Sequence, residues 1–215
     1  MSDHKVKILK EHIKNQFFGE ATGHDWYHIE RVYKLATKIH KNEGGDLLTI
    51  KVAALLHDLS DHKFNDGDFE KGGNDARLLL NHFNFEASFI DSVVAIVNAV
   101  SFKGNGVADE MKTIEGKIVQ DADRLDALGA IGIARTFAYG GSISQPIYDP
   151  LIKPSFHGSK EEYAKSKTHT INHFYEKLLL LKDRMHTETA RKLAVEREDF
   201  MKTFLEQFYN EWEVK

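Results

Sequence analysis

The chain has 215 residues, a formal net charge of -4, 12 histidines, 3 prolines and no cysteine. That length suffices for one sizeable core, and the missing cysteine excludes disulfides, thiolate metal sites and cysteine nucleophiles. Any transition-metal site must therefore use imidazole and carboxylate. The mildly acidic balance argues against a large nucleic-acid surface while allowing a basic pocket for a nucleotide.

Met1-Ser2-Asp3-His4-Lys5 leads into no apolar h-region, and no apolar run reaches membrane-spanning length. The expectation is a cytoplasmic protein without a membrane partner, formed as a single domain over 1–215. Val6, Ile8, Leu9, Ile13 and Phe17 recur at helical spacing. Asp25 is placed to cap a second helix whose face carries His28, Val32, Leu35 and Ile39, and Gly44-Gly45 ends it. A third helix starts at Asp46 or Thr49 and runs through Val52, Ala53, Leu55 and Leu56 to His57-Asp58.

Ser60 to Gly73 reads as a loop, Asn74 to Phe83 as a helix, and Glu86 to Val100 as another. The last is rich in β-branched residues, but its length and neighbours favour a helix over a strand. Ser101 to Asp109 is a glycine-containing loop, and Met111 to Leu128 resumes helical spacing through Ile114, Ile118, Ala122 and Leu125. Ile131 to Tyr139 extends or follows that helix. The segment at about 140–160 holds all 3 prolines and reads as a lid or insertion. Helices over about Lys165–Leu181 and Thr187–Trp212 close the chain, the latter through Leu193, Phe200, Phe204, Leu205 and Phe208. The aromatic content of this last helix makes a homodimer an expectation.

Four features carry chemistry. His28 opens an apolar helical face, His57-Asp58 end an apolar helix, Asp61 follows in a loop, and Asp121, Asp123 and Asp126 crowd one helix. A carboxylate is rarely buried without a partner, and a divalent cation is one such partner. Imidazole and carboxylate together suit manganese, magnesium, iron, nickel, cobalt or zinc, without choosing among them. Read singly, each residue has an ordinary alternative: a hydrogen-bonded helix-face histidine, a helix terminus, or a solvated acidic face paired with Arg124.

The residues taken together resemble the HD superfamily of metal-dependent phosphohydrolases. The resemblance rests on Gly23-His24-Asp25-Trp26-Tyr27-His28, Leu56-His57-Asp58-Leu59-Ser60-Asp61, Ser101-Phe102-Lys103-Gly104 and Asp121-Ala122-Asp123-Arg124-Leu125-Asp126-Ala127-Leu128-Gly129, and it continues through the C-terminal helices. It implies an all-α, HD-domain-like helical bundle with the metal between helices. The ligands it implies are His28, His57, Asp58 and Asp123, with Asp121 the nearest rival to the last. Superfamily members with two metals use further histidines between the His-Asp pair and the last aspartate. Here only His62 and His82 fall in that interval, which favours one ion, manganese first.

The implied chemistry is hydrolysis of a small phosphorylated substrate, a nucleotide. The small bacterial branch it resembles suggests cleavage of nucleoside or deoxynucleoside triphosphates to monophosphate and pyrophosphate. A nucleoside 5′-monophosphatase and a non-catalytic nucleotide sensor stay open beside it. Asp58 is expected in the catalytic centre, and Asp61 is placed to orient or deprotonate the water, or to cap its loop. Arg31, Lys63, Lys103, Arg124 and Asp126 are the expected substrate and phosphate contacts.

Overall fold

The computed structural model describes residues 2–19, 25–59, 71–100, 111–155 and 168–215, and every regular element among them is helical. No helix among the described residues is long and apolar enough to cross a membrane. The described residues form two compact units, one ending at Ala122 and the other running from Asp123 to Lys215.

The first unit contains α1 (Ser2–Phe17), α2 (Trp26–Glu43), α3 (Leu47–Leu56), α4 (Lys71–His82), α5 (Ala87–Val100) and the start of α6 (Ile114–Asp126). Its centre is α3. Thr49, Ile50, Val52, Ala53, Ala54, Leu55 and Leu56 are all buried, so this helix has no solvated stripe. Helices α1, α2 and α5 pack against it. Its start is fixed by Asp46, whose carboxylate accepts the backbone N–H of Thr49 at 2.7 Å and its hydroxyl at 2.6 Å.

The β-branched helix α5 buries Ile90, Val93, Val94, Ile96, Val97 and Val100. These positions share one face of a helix but would be split between the two faces of a strand, so burial overrides local propensity. Helix α4 begins at Lys71, earlier than its two glycines suggest. A Cβ on Gly73 would stand 2.2 Å from Asn98 Oδ1, so this glycine serves the close approach of α4 to α5 and does not break the helix. On α1 the buried positions are Val6, Leu9 and Ile13, whereas Ile8, expected among them, is 44% exposed on the other side.

The second unit holds the last turn of α6, then α7 (Gly129–Ser142), α8 (Thr170–Glu176), single 3-10 turns at Leu178–Leu180 and Lys182–Arg184, and α9 (Glu188–Trp212). Phe174 is fully buried, with its ring centroid 6.0 Å from Phe137 and 5.9 Å from Phe204. The helix expected over Lys165–Leu181 is shorter in its described part. His169 caps α8 by accepting the N–H of Asn172, and the backbone leaves the helical region at Lys177. On α9 the buried stripe runs through Ala190, Ala194, Glu198, Met201 and Leu205, while Phe200 is exposed. Buried Glu198 is held between Lys182 at 2.8 Å and Lys202 at 2.7 Å.

The segment expected as a lid at about 140–160 is described through residue 155. Helix α7 continues through Gly140 and Gly141, and the N–H groups of Thr170 and Ile171 donate to the carbonyls of Pro146 and Ile147. Residues 156–160 of that expectation lie outside the described residues.

Candidate metal centre

The site begins with a helix cap. Asp25 precedes α2, and its side chain accepts the N–H of His28 at 2.7 Å, which fixes the first turn. His28 is thereby set on the buried face of α2, only 1% exposed. Helix α2 packs on α3, and α3 ends at His57, with Asp58 next in the chain. A helix end lets adjacent side chains turn to one point, so a neighbouring pair can act together.

His28, His57 and Asp58 each bring one ligand atom to a common place, all within 4.8 Å of one another. The two Nε2 atoms are 3.2 Å apart. Asp58 Oδ2 lies 3.4 Å from His28 Nε2 and 3.8 Å from His57 Nε2. Ligands bound at about 2.0–2.2 Å to one ion stand roughly 3.0–3.5 Å from each other; the two edges at His28 fall in that range, and the longer His57–Asp58 edge needs a ligand–ion–ligand angle wider than tetrahedral. The cluster lies between α2 and α3, and it is the one such group among the described residues.

The protonation of His57 supports the same fit. Its Nδ1 lies 2.9 Å from the carbonyl oxygen of Ala54. A carbonyl only accepts, so Nδ1 is the donor of this bond, and Nε2 is the ring nitrogen that faces His28 and Asp58. This is the orientation that a metal-ligating histidine needs, with the other ring nitrogen held by an acceptor. The histidine-aspartate pair was legible in the sequence, but its backbone orienter was not. The available clue was indirect: the last carbonyls of any helix lack intrahelical donors and readily accept a side chain.

Asp123 sits half-buried on α6, and Asp121, its rival, is fully buried. Within the second unit, Arg124 donates to the carbonyl of Arg184 at 2.5 Å and lies 3.3 Å from His186 Nε2. Asp126 accepts from Arg135 at 2.9 Å. Arg31 is half-buried on α2, about one turn beyond His28. Asp61, Lys63 and Lys103 lie outside the described residues.

Comparison with known proteins agrees with this geometry. The HD domain family matches residues 25–128, which includes all three clustered ligands. The chain is 41% identical over 204 residues to YpgQ of Bacillus subtilis (strain 168), described as uncharacterized, covering 94% of this chain and 91% of that protein. YpgQ has also been solved in complex with ADP, and that structure superposes with a TM-score of 0.76 at 35% identity, covering 96% of this chain and 97% of the other. An HD-superfamily hydrolase from Bacillus thuringiensis is 40% identical with a TM-score of 0.76 and full coverage of both chains. A solved Lactobacillus plantarum protein reaches a TM-score of 0.87 at 36% identity, covering 100% of each. With the His-His-Asp cluster in place and likeness extending over the whole chain, this protein belongs to the HD superfamily of metal-dependent phosphohydrolases.

Proposed function

We propose that the protein hydrolyses nucleoside or deoxynucleoside triphosphates to the monophosphate and pyrophosphate, using one divalent ion, manganese first. The observation that carries the reading is the convergence of His28, His57 and Asp58, with the His57 ring held by its bond to the Ala54 carbonyl. Chain-long likeness to YpgQ, a protein that has been solved with ADP, supports a nucleotide as the substrate. Asp123 is proposed as the closing ligand, on its match to the family's Ala-Asp-Arg-Leu run.

A bound divalent ion supplies a Lewis acid for a phosphoryl oxygen and makes water a better nucleophile at neutral pH. The residues do the rest. Buried His28 and His57 shield one side of the site from water and offer imidazole nitrogens to the ion, while the Asp58 carboxylate offsets its charge. Asp61 is proposed to orient the attacking water and take its proton. The water oxygen bonds to the α-phosphorus, the bond from that phosphorus to the β-bridging oxygen breaks, and pyrophosphate leaves with the electron pair. Arg31, Lys63 and Lys103 are proposed to neutralise the phosphate chain, with Arg124 and Asp126 retained as further candidates.

The test is product analysis in ¹⁸O-labelled water with metal-stripped protein re-supplied with Mn²⁺. Labelled nucleoside monophosphate plus unlabelled pyrophosphate is the expected result. Inorganic phosphate released from a monophosphate would replace the reading with a phosphatase. Ion binding without turnover of any nucleotide would replace it with a sensor.

A further inference from the structure

Helix α2 changes character on the two sides of its metal-facing histidine. Successive residues of an α-helix turn by about 100°, so positions can be read around the axis from His28. In one direction stand Val32, Ala36 and Ile29, at about 40°, 80° and 100°, and all three are fully buried. In the other direction Leu35 and Arg31, at about 20° and 60°, are half-buried. Beyond them Lys38 and Tyr27, at about 80° and 100°, are exposed. His28 therefore marks the border between the packed side of α2 and its open side. A molecule held at the cluster and extending over the open side meets Arg31 and Tyr27.

Tyr27 is the aromatic residue of that open side. It is 56% exposed in a turn whose other members, Trp26, His28 and Ile29, are buried. Among the described residues no hydrogen bond or ring contact engages its side chain. Its Cα is about 3.8 Å from that of His28, and side chains of a helix lean toward its N-terminus, so ring and ligand project to the same end of α2. Arg31 follows at i+4 on the same face, which sets the two Cβ atoms about 5–6 Å apart. An aromatic face and a guanidinium thus flank one metal ligand. The order along the axis, Tyr27, His28, Arg31, matches the order of base, α-phosphate and outer phosphates in a nucleoside triphosphate. A tyrosine suits the base end, because its apolar ring can stack while its hydroxyl stays in water.

We infer that Tyr27 is the base-stacking residue of the substrate site: with the phosphate chain at the ion and Arg31, the nucleobase lies on the Tyr27 ring. The inference rests on the proposed nucleotide substrate. All the residues it uses stand on α2, in the unit that holds the His28–His57–Asp58 cluster.

The test is calorimetric titration of the full chain, loaded with Mn²⁺, with two probes. One is the α,β-methylene analogue of ATP, which resists cleavage at the α-phosphorus. The other is inorganic tripolyphosphate, which carries the phosphates without a base. Tyr27→Ala should weaken binding of the analogue by about tenfold and leave the affinities for tripolyphosphate and Mn²⁺ unchanged. Tyr27→Phe keeps the ring and should bind both probes as wild type does. The position is exposed, so both variants should keep the wild-type melting temperature. Wild-type affinity for the analogue in Tyr27→Ala overturns the inference and leaves the nucleotide reading intact. Equal weakening of both probes shows a general disturbance of the site and also overturns it. No binding of the analogue by wild type overturns the nucleotide reading and the inference together.

Discussion

The Nδ1 atom of His57 lies 2.9 Å from the carbonyl oxygen of Ala54, three residues earlier on the same helix. This bond decides which ring nitrogen faces the site. It makes Nδ1 the donor and turns Nε2 toward His28 Nε2, 3.2 Å away. A helix terminus thus does two tasks: it stops the helix at the ligand pair and supplies the acceptor that orients one of them.

The tautomer is directly observable. In metal-free protein, long-range ¹⁵N–¹H correlation spectra should show a proton on His57 Nδ1. A His57 ring without a proton on Nδ1 would contradict the geometry. Addition of a diamagnetic divalent ion should shift the Nε2 resonance and leave Nδ1 protonated.

Asp58 contributes the only carboxylate of the described cluster. Asp58→Asn keeps its shape and removes the charge that balances a cation. Since orienting groups alone change affinity by about 10- to 100-fold, losing a ligand charge should lower kcat/KM by more than about 100-fold. Steady-state pyrophosphate-release kinetics check this, with thermal melting to confirm that the variant is folded. Retention of wild-type turnover would remove Asp58 from the site.

Two adjacent glycines should respond in opposite directions. A Cβ on Gly140 would stand 2.4 Å from Thr170 Oγ1, whereas a Cβ on Gly141 would meet nothing within 4 Å. Thr170 is buried, and its hydroxyl donates to Pro146 at 3.1 Å, so it has little freedom to yield. Gly140→Ala should destabilise by about 1–3 kcal/mol, because overpacking outweighs the gain in helix propensity. Gly141→Ala should be neutral or stabilising by up to about 1 kcal/mol. Urea unfolding of the two variants gives the signs.

The cap on α3 should titrate. Burial raises the pKa of Asp46, but the bonds from the Thr49 hydroxyl and N–H and from the Leu48 N–H outweigh it, and the folded-state value lies below the ordinary 3.8. A depressed folded pKa means that the stabilisation is fully present above the unfolded value and disappears as pH falls through the folded one. Asp46→Ala should therefore cost about 1 kcal/mol at pH 7 and less at pH 3, where wild type has lost part of the same advantage. A stability difference that stays constant from pH 7 to pH 3 would contradict the charged cap.

The metal cluster was legible through the resemblance to the HD superfamily, since each ligand read singly had an ordinary alternative, and the structure shows those ligands punctuating helices. His28 follows an Asp25 cap, and His57-Asp58 follow a helix that is apolar on every side. The all-helical fold was legible because buried residues recur at steps of three and four even in β-branched α5. The boundaries were less so. Gly73 and Gly140 looked like helix breakers but mark places where side chains of other segments come too near for a Cβ. Local sequence cannot show a neighbour distant in the chain. A bond from Arg197 to the Leu125 carbonyl was hidden for the same reason, as it joins residues 72 positions apart. Phe200, read among the apolar positions of the last helix, is exposed, while Ala194 and Glu198 lie on its buried stripe.

The claim on which the rest depends is that His28, His57 and Asp58 hold one divalent ion. Electron spin echo envelope modulation of Mn²⁺ added to the metal-stripped chain tests it at the ligand atoms. The account predicts coupling to the nitrogens of two imidazoles, reduced to one in either His28→Ala or His57→Ala. Tightly bound Mn²⁺ with no imidazole nitrogen coupling, or with coupling unchanged in both variants, would contradict it.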